Sequence, residues 1–317
     1  MKTVIKDVLA AMLLGIVLPG ILLNGAVIHR RKQPEPEKIE PLGIRCPVKV
    51  RTGDSVEEME LEDYIAAVVL AEMPASFEPE ALKAQSVAAR TYTKKAMETG
   101  GRHGDGSLCT DSTCCQAYIG REEYLSRGGR AENADKVFSA CTATAGQVLL
   151  YDGELIEATY FSCSGGETES ALAVWGGEIP YLQSVPSPEE EGSALFKQTL
   201  TFTPEEFSAA LGTDLSGSPK DWFSLITYTE GGGVAAMTIG GRVYTGTQLR
   251  SLLGLRSTAF TLEAHENSIT ITTRGYGHRV GMSQYGADAM AAGGSTYAEI
   301  LAHYYPGTEL VQMDAAL

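Results

Sequence analysis

YIAAVVLAEMPASFEPEALKAQSVAARTYT, running from Tyr64 to Thr93, ends one helix on a glutamate and opens another that carries two cations. Asp63 to Glu72 reads as a helix that stops early, because Pro74 cannot continue it and drives Met73 out of the α region. Glu72 then falls in the last turn. It shares a face with Tyr64 and Val68 by four-residue spacing, and that face is otherwise apolar, so the carboxylate is expected to point inward. Burial and the negative end of the helix dipole both disfavour its ionised form, and a raised pKa suits a general acid working near neutrality. Pro79 fits the first position of a second helix running toward Tyr92. Lys83, Val87 and Arg90 form a stripe on it at spacings of four and three, so both cations can face one site.

The chain has 317 residues, of which 44% are hydrophobic and 21% charged, within the range of ordinary folded domains. Its 35 glycines favour turns and close backbone approaches over long helices, so a mixed α+β fold is expected. A formal charge of -15 argues against nucleic-acid partners, whose phosphates require Lys and Arg for neutralisation.

Val8 to Ile28 is an uncharged stretch of 21 residues, long enough to cross a hydrocarbon core of ~30 Å. It predicts an N-terminal membrane anchor over residues 1–29, with a cleaved signal peptide as the alternative. The cluster His29 to Lys32 after the span favours a cytoplasmic C-terminal side. Residues 30–43 are polar and proline-rich and read as an extended tether. The folded part is expected over 44–313. It opens with a strand at Cys46 to Thr52, has β-like runs from Gln147 to Phe161, and carries a smaller α+β insertion over 195–265.

His103, Cys109, Cys114 and Cys115 fall within thirteen residues, a loop able to wrap one ion. Imidazole and thiolates suit tetrahedral zinc, and His103, Cys109 and Cys115 are the expected ligands. Adjacent cysteines bind together only with strain, which leaves Cys114 as a spare and Cys141 or Cys163 as candidates from elsewhere. A disulfide from Cys109 to Cys114 or Cys115 is an equal alternative on spacing alone.

Two glycine-rich segments offer neutral polar groups. YFSCSGGETES, from Tyr160 to Ser170, ends a strand in a turn where Ser164 and backbone amides can meet sugar hydroxyls, and Trp175 follows closely. GYGHRVGMSQYGA, from Gly275 to Ala287, presents His278, Ser283, Gln284 and Tyr285, a set suited to a glycan. It lacks the third glycine of a dinucleotide fingerprint, which excludes a Rossmann reading.

Taken in order, YIAAVVLAEMP, EALKAQSVAARTY, YFSCSGGETES and GHRVGMSQYGADAMA resemble the stage II sporulation protein D family of sporulation-specific peptidoglycan lytic transglycosylases. The resemblance covers about residues 44–313, and GRVYTGTQLRSLLGL looks like the family's internal α+β element. It implies cleavage of the MurNAc-GlcNAc bond in peptide-stripped glycan strands to a 1,6-anhydro product. Glu72 matches the family's catalytic glutamate. Lys83 and Arg90 match cationic positions in the next helix, and Tyr160, Ser164, His278, Ser283, Gln284 and Tyr285 fall in segments implied to line the glycan groove. Members with a similar His-Cys-Cys loop bind zinc, which favours His103, Cys109 and Cys115 as ligands.

The resemblance further implies a single-pass protein of the cell membrane, with its catalytic part outside the cytoplasm, opposite to the orientation the basic cluster favours. Its implied partners are a peptidoglycan amidase and other engulfment membrane proteins. Related domains also act without catalysis, as wall-binding modules that enhance an amidase. Arg279 stands where the family usually has glycine, and Phe161 and Cys163 replace small polar residues or histidine.

Overall fold

The computed structural model describes residues 46–53, 55–187 and 190–313, and the expected anchor and tether lie outside them. Among the described residues no helix is long and apolar enough to cross a membrane.

The architecture is mixed α+β, with several small sheets rather than one large one. Strands β1 (Pro47–Thr52) and β2 (Ser55–Glu60) form an antiparallel hairpin. Helix α1 (Leu61–Glu72) follows at once and α2 (Pro79–Thr99) packs beside it. Met73 is extended, at φ -120° and ψ 140°, so the chain leaves the helix directly after Glu72, where Pro74 requires it to. Pro79 opens α2, and Gly100 closes it in the left-handed region at φ 84°. Strand β3 (Leu108–Cys109) pairs in parallel with β1.

Residues 121–143 carry two helices that the sequence reading does not anticipate, α3 (Arg121–Ser126) and α4 (Ala131–Ala143). Strands β4 (Gln147–Tyr151) and β5 (Glu154–Leu155) form a hairpin, and β6 (Tyr160–Phe161) is followed by the short α5 (Ala171–Trp175). The principal core lies among α1, α2, α4 and β4, where Tyr64, Val68, Leu82, Val87, Val137 and Leu149 are inaccessible or nearly so. Alanines 81, 84, 88 and 89 on α2 are fully buried and let its neighbours approach closely.

A second hydrophobic core belongs to residues between Leu200 and Ile271. Here β7 (Lys197–Phe202), β11 (Phe260–Ala264) and β12 (Ile269–Arg274) form one sheet, in the order β11-β12-β7. Strands β8 (Phe223–Tyr228), β9 (Val234–Ile239) and β10 (Arg242–Thr245) form another. Helices α6 (Pro204–Leu211) and α7 (Gly246–Leu252) complete this part, each opened by a threonine capping box. Phe207, Trp222, Met237, Leu249 and Ile271 fill its interior.

The chain then returns to the first core. Strand β13 (Met282–Ser283) pairs in parallel with β6 and feeds α8 (Gln284–Ala292), followed by α9 (Tyr297–Tyr304) and β14 (Glu309–Gln312), which pairs with β4. Gln284 and Tyr285 are the first residues of α8.

Candidate active site and metal centre

Glu72 opens onto a cavity of about 390 Å³ whose lining includes Met73, Tyr124, Ser162, Leu195, Gln284 and Tyr285. Its Oε1 accepts a 2.7 Å hydrogen bond from the Ala117 amide. Burial raises its pKa above the usual carboxylate value, and that effect outweighs the Ala117 hydrogen bond and the nearby Gln284 amide, which both lower it. The Gln284 approach stops short of a well-formed hydrogen bond, since its Nε2 finds no partner among the described residues. Tyr285 packs edge-on against Phe77 at 4.9 Å, which ties the start of α8 to the proline turn. A larger crevice of about 510 Å³ beside α6 has only Glu205 and Asp214 as ionisable lining groups.

Tyr160 joins this site through its hydroxyl, which lies within electrostatic reach of Glu72. The hydroxyl accepts from Gln116 Nε2 at 2.8 Å, and Gln116 Oε1 in turn accepts from Thr93 at 2.9 Å. Thr93 therefore fixes the orientation of the carboxamide. With its lone pair taken by Gln116, Tyr160 is left to donate its own proton elsewhere.

Five expected contacts have other roles. Arg90 is fully buried, and its guanidinium binds Glu62 in a two-point fork at 2.9 and 2.6 Å and the Gln147 carbonyl at 3.1 Å. It ties α1, α2 and β4 together and does not line the cavity. Lys83 pairs with Glu80 at 2.6 Å and lies over the Tyr297 ring, so the two cations do not converge on Glu72. Ser164 and Ser283 are fully buried around Glu190. Glu190 Oε2 accepts the Ser164 and Gly165 amides and the Cys163 thiol, while Oε1 accepts the Ser187 and Ser283 hydroxyls. Ser283 also caps α8 by accepting from the Gly286 amide. His278 is wedged between Phe161 and Trp175, its Nδ1 accepts the Val280 amide, and its other nitrogen faces the Tyr160 carbonyl. Burial and the Arg250 charge lower its pKa to about 4, so the ring is neutral and serves as a support.

Arg279 adopts φ 68°, a conformation that explains how a glycine would sit there. Its guanidinium instead donates to the carbonyls of Ser164, Glu167 and Gly231 and pairs with buried Glu169 at 3.3 Å. Glu169 also accepts from Thr229 and the Gly233 amide. The pair thus joins both glycine-rich segments to the turn that leads into β9.

Beside the cavity, the ligand atoms of His103, Cys109, Cys114 and Cys115 all lie within 4.8 Å of one another. His103 Nε2 is 3.8 Å from Cys114 Sγ and 3.6 Å from Cys115 Sγ, and the two sulfurs are 4.0 Å apart. A zinc tetrahedron with S and N ligands has edges of about 3.5–3.8 Å, somewhat shorter than the widest of these separations, and the four donors together form a group that could hold a metal ion. Cys114 lies in the cluster beside the three expected ligands. The Asp111 carbonyl accepts both the Cys114 and Cys115 amides, and that tight turn lets adjacent cysteines face one point. Cys141 lies against Ser86 and Cys163 against Glu190, away from the cluster, and all six cysteines are free thiols. Burial raises the Cys109 thiol, but hydrogen bonds with the Asp111 backbone, His103 and the other thiols bring it down to about 7. The His103–Cys115 loop runs straight into the residues that hold Glu72. Cys115 belongs to the cluster, Gln116 holds Tyr160, and Ala117 holds Glu72.

A family model described as Stage II sporulation protein (SpoIID) matches residues 50–151. The chain is 41% identical over 290 residues to stage II sporulation protein D of Bacillus subtilis (strain 168), covering 90% of this chain and 84% of that protein. It is 40% identical over 318 residues to stage II sporulation protein D of Bacillus amyloliquefaciens, covering 95% and 92%. An amidase enhancer of Bacillus subtilis (strain 168) is 33% identical over 300 residues, covering 78% of this chain and 40% of that protein.

Proposed function

The chain belongs to the stage II sporulation protein D family, and from that premise we propose that it is a lytic transglycosylase acting on peptide-stripped peptidoglycan through Glu72. The observation that carries this reading is a lone carboxyl group with a raised pKa, held at a helix end in an open cavity. Protonated Glu72 donates to the glycosidic oxygen as the bond from MurNAc C1 breaks. The resulting carboxylate accepts the proton of the same sugar's C6 hydroxyl, and the C6 oxygen closes on C1 to give the 1,6-anhydro ring. One carboxyl suffices because neither water nor an enzymic nucleophile enters, unlike the two-carboxylate glycosidases.

The Ala117 amide orients the carboxylate, the Tyr160 hydroxyl held by Gln116 lies within electrostatic reach of it, and Gln284 and Tyr285 form the wall against which the glycan lies. His103, Cys109, Cys114 and Cys115 are the residues that would hold zinc. An ion bound by all four would supply loop rigidity and would leave no open position for substrate. In the cell the protein is placed at the membrane by residues 1–29, with residues 44–313 outside the cytoplasm. There it works during septal thinning and engulfment beside an amidase that removes stem peptides and other engulfment membrane proteins.

The likeness to an amidase enhancer favours a second reading, a non-catalytic wall-binding module. Incubating peptide-free glycan strands with the wild-type chain and with Glu72→Ala separates the two. The enzyme reading expects strand shortening by wild type alone, with no amidase present. Intact strands with wild type, together with faster peptide release when amidase is added, would establish the binding module instead.

A further inference from the structure

The chain carries 40 acidic residues against 25 Lys and Arg, yet four cations near β12 have no acidic partner among the described residues. Arg256 lies over the ring of Tyr276 at 5.6 Å, and Tyr276 is 43% exposed. Arg250, on α7, is partly buried, and its charge reaches both Tyr276 and His278. Trp175 rests one side on His278, at 5.5 Å, and leaves 49% of its surface to solvent. Lys197 and Arg274 face each other directly across β7 and β12. Like charges at such a position are unfavourable unless an anion sits between or above them.

This surface adjoins the acid cavity. Arg256 donates to the Ala194 carbonyl, and the next residue, Leu195, lines the cavity with Glu72. Phe161 packs on His278, and the next residue, Ser162, also lines the cavity. A strand of sugars leaving Glu72 past Leu195 would meet exposed aromatic faces and unpaired guanidinium groups.

We propose that Arg250 and Arg256, set among Trp175 and Tyr276, form a subsite for an anionic saccharide, and that they bind the free lactyl carboxylate of peptide-stripped muramic acid. The proposal rests on the glycan-cleaving reading above and adds to it a basis for discrimination. A stem peptide converts that carboxylate to an amide, which is neutral at the lactyl carbon and bulky. Removing the peptide exposes a planar anion of the kind guanidinium groups bind in pairs of parallel hydrogen bonds. Half-desolvated arginines gain more from such a contact than fully hydrated lysines. The indole and phenol faces suit the apolar faces of the sugar rings.

The test uses the full chain with Glu72→Gln, which blocks turnover. Calorimetry compares peptide-free glycan oligomers with the same oligomers whose lactyl carboxylates have been converted to methylamides. The free-carboxylate form is expected to bind about tenfold more tightly, equivalent to one charge-assisted contact. Adding Arg250→Gln and Arg256→Gln should remove the preference while leaving affinity for the methylamide unchanged, with melting curves confirming the fold. Lys197→Gln with Arg274→Gln, on the strand surfaces, gives a second pair that should weaken the preference. Equal binding of the two oligomers, or a preference that survives the arginine substitutions, overturns the proposal. If wild type still cuts glycan in that case, only the subsite fails. If neither oligomer binds and wild type cuts neither, the enzyme reading fails with it.

Discussion

Glu72 is held by two opposed influences, burial that favours its neutral form and an Ala117 hydrogen bond that favours its ionised one. Because burial wins, the folded pKa lies above the unfolded value near 4.5. Above that raised pKa the ionised carboxylate costs stability, and below pH 4.5 the carboxyl is protonated in both states and the cost vanishes. Glu72→Gln keeps an acceptor for Ala117 and removes the buried charge. It should therefore melt a few degrees higher than wild type at pH 8, with the gain shrinking to nothing as the pH falls below about 4.5. A melting series across pH checks this, and an equal or lower melting point at pH 8 would show that Glu72 is not strained by ionisation. Arg90 presents the opposite case. Arg90→Ala leaves the Gln147 carbonyl and Glu62 without their donors and should cost about 2–3 kcal/mol of stability, read by denaturant unfolding. A substrate-binding role would instead lower activity with stability unchanged.

At the scale of elements, the segment from Tyr64 to Thr93 was legible because proline and alanine spacing speak through local sterics. The helix stop at Pro74, the helix start at Pro79 and the inward face of Glu72 all follow from neighbours within four residues. Partners that come from far along the chain were not legible. The stripe of Lys83 and Arg90 is real on α2, but whether a cation meets substrate or Glu62 depends on how α1 packs. Gln116 looks like any polar residue after a cysteine pair, and Ala117 acts through a backbone amide that no side chain announces. Glu190 belongs to an acidic run that reads as a solvated surface, yet it is 2% exposed and gathers five donors. The loop that carries His103, Cys109, Cys114 and Cys115 couples two elements in the same non-local way. Stripping metal with a strong chelator should loosen residues 103–117, lower the melting temperature and reduce glycan cleavage, because Gln116 and Ala117 directly follow Cys115. Re-addition of zinc should restore both, whereas an unchanged melting curve after metal removal, verified by elemental analysis, would mean that the loop holds itself.

At the scale of the whole molecule, the Arg279–Glu169 pair ties the glycine-rich loops of the first core to the turn that leads into β9 of the second. The sequence shows Arg279 only as a departure from the family's glycine, and its role required Gly231 to come within 2.7 Å across 48 residues. The proposed chemistry uses one carboxyl, admits no water and gives an anhydro product. The direct measurement is mass spectrometry of the ends formed when wild type and Glu72→Gln are incubated with peptide-free strands in water enriched in oxygen-18. Wild type should create 1,6-anhydromuramic ends carrying no oxygen-18, and Glu72→Gln should create none. Reducing ends labelled with oxygen-18 would contradict the account, because they would place a water molecule where the muramic C6 hydroxyl is required.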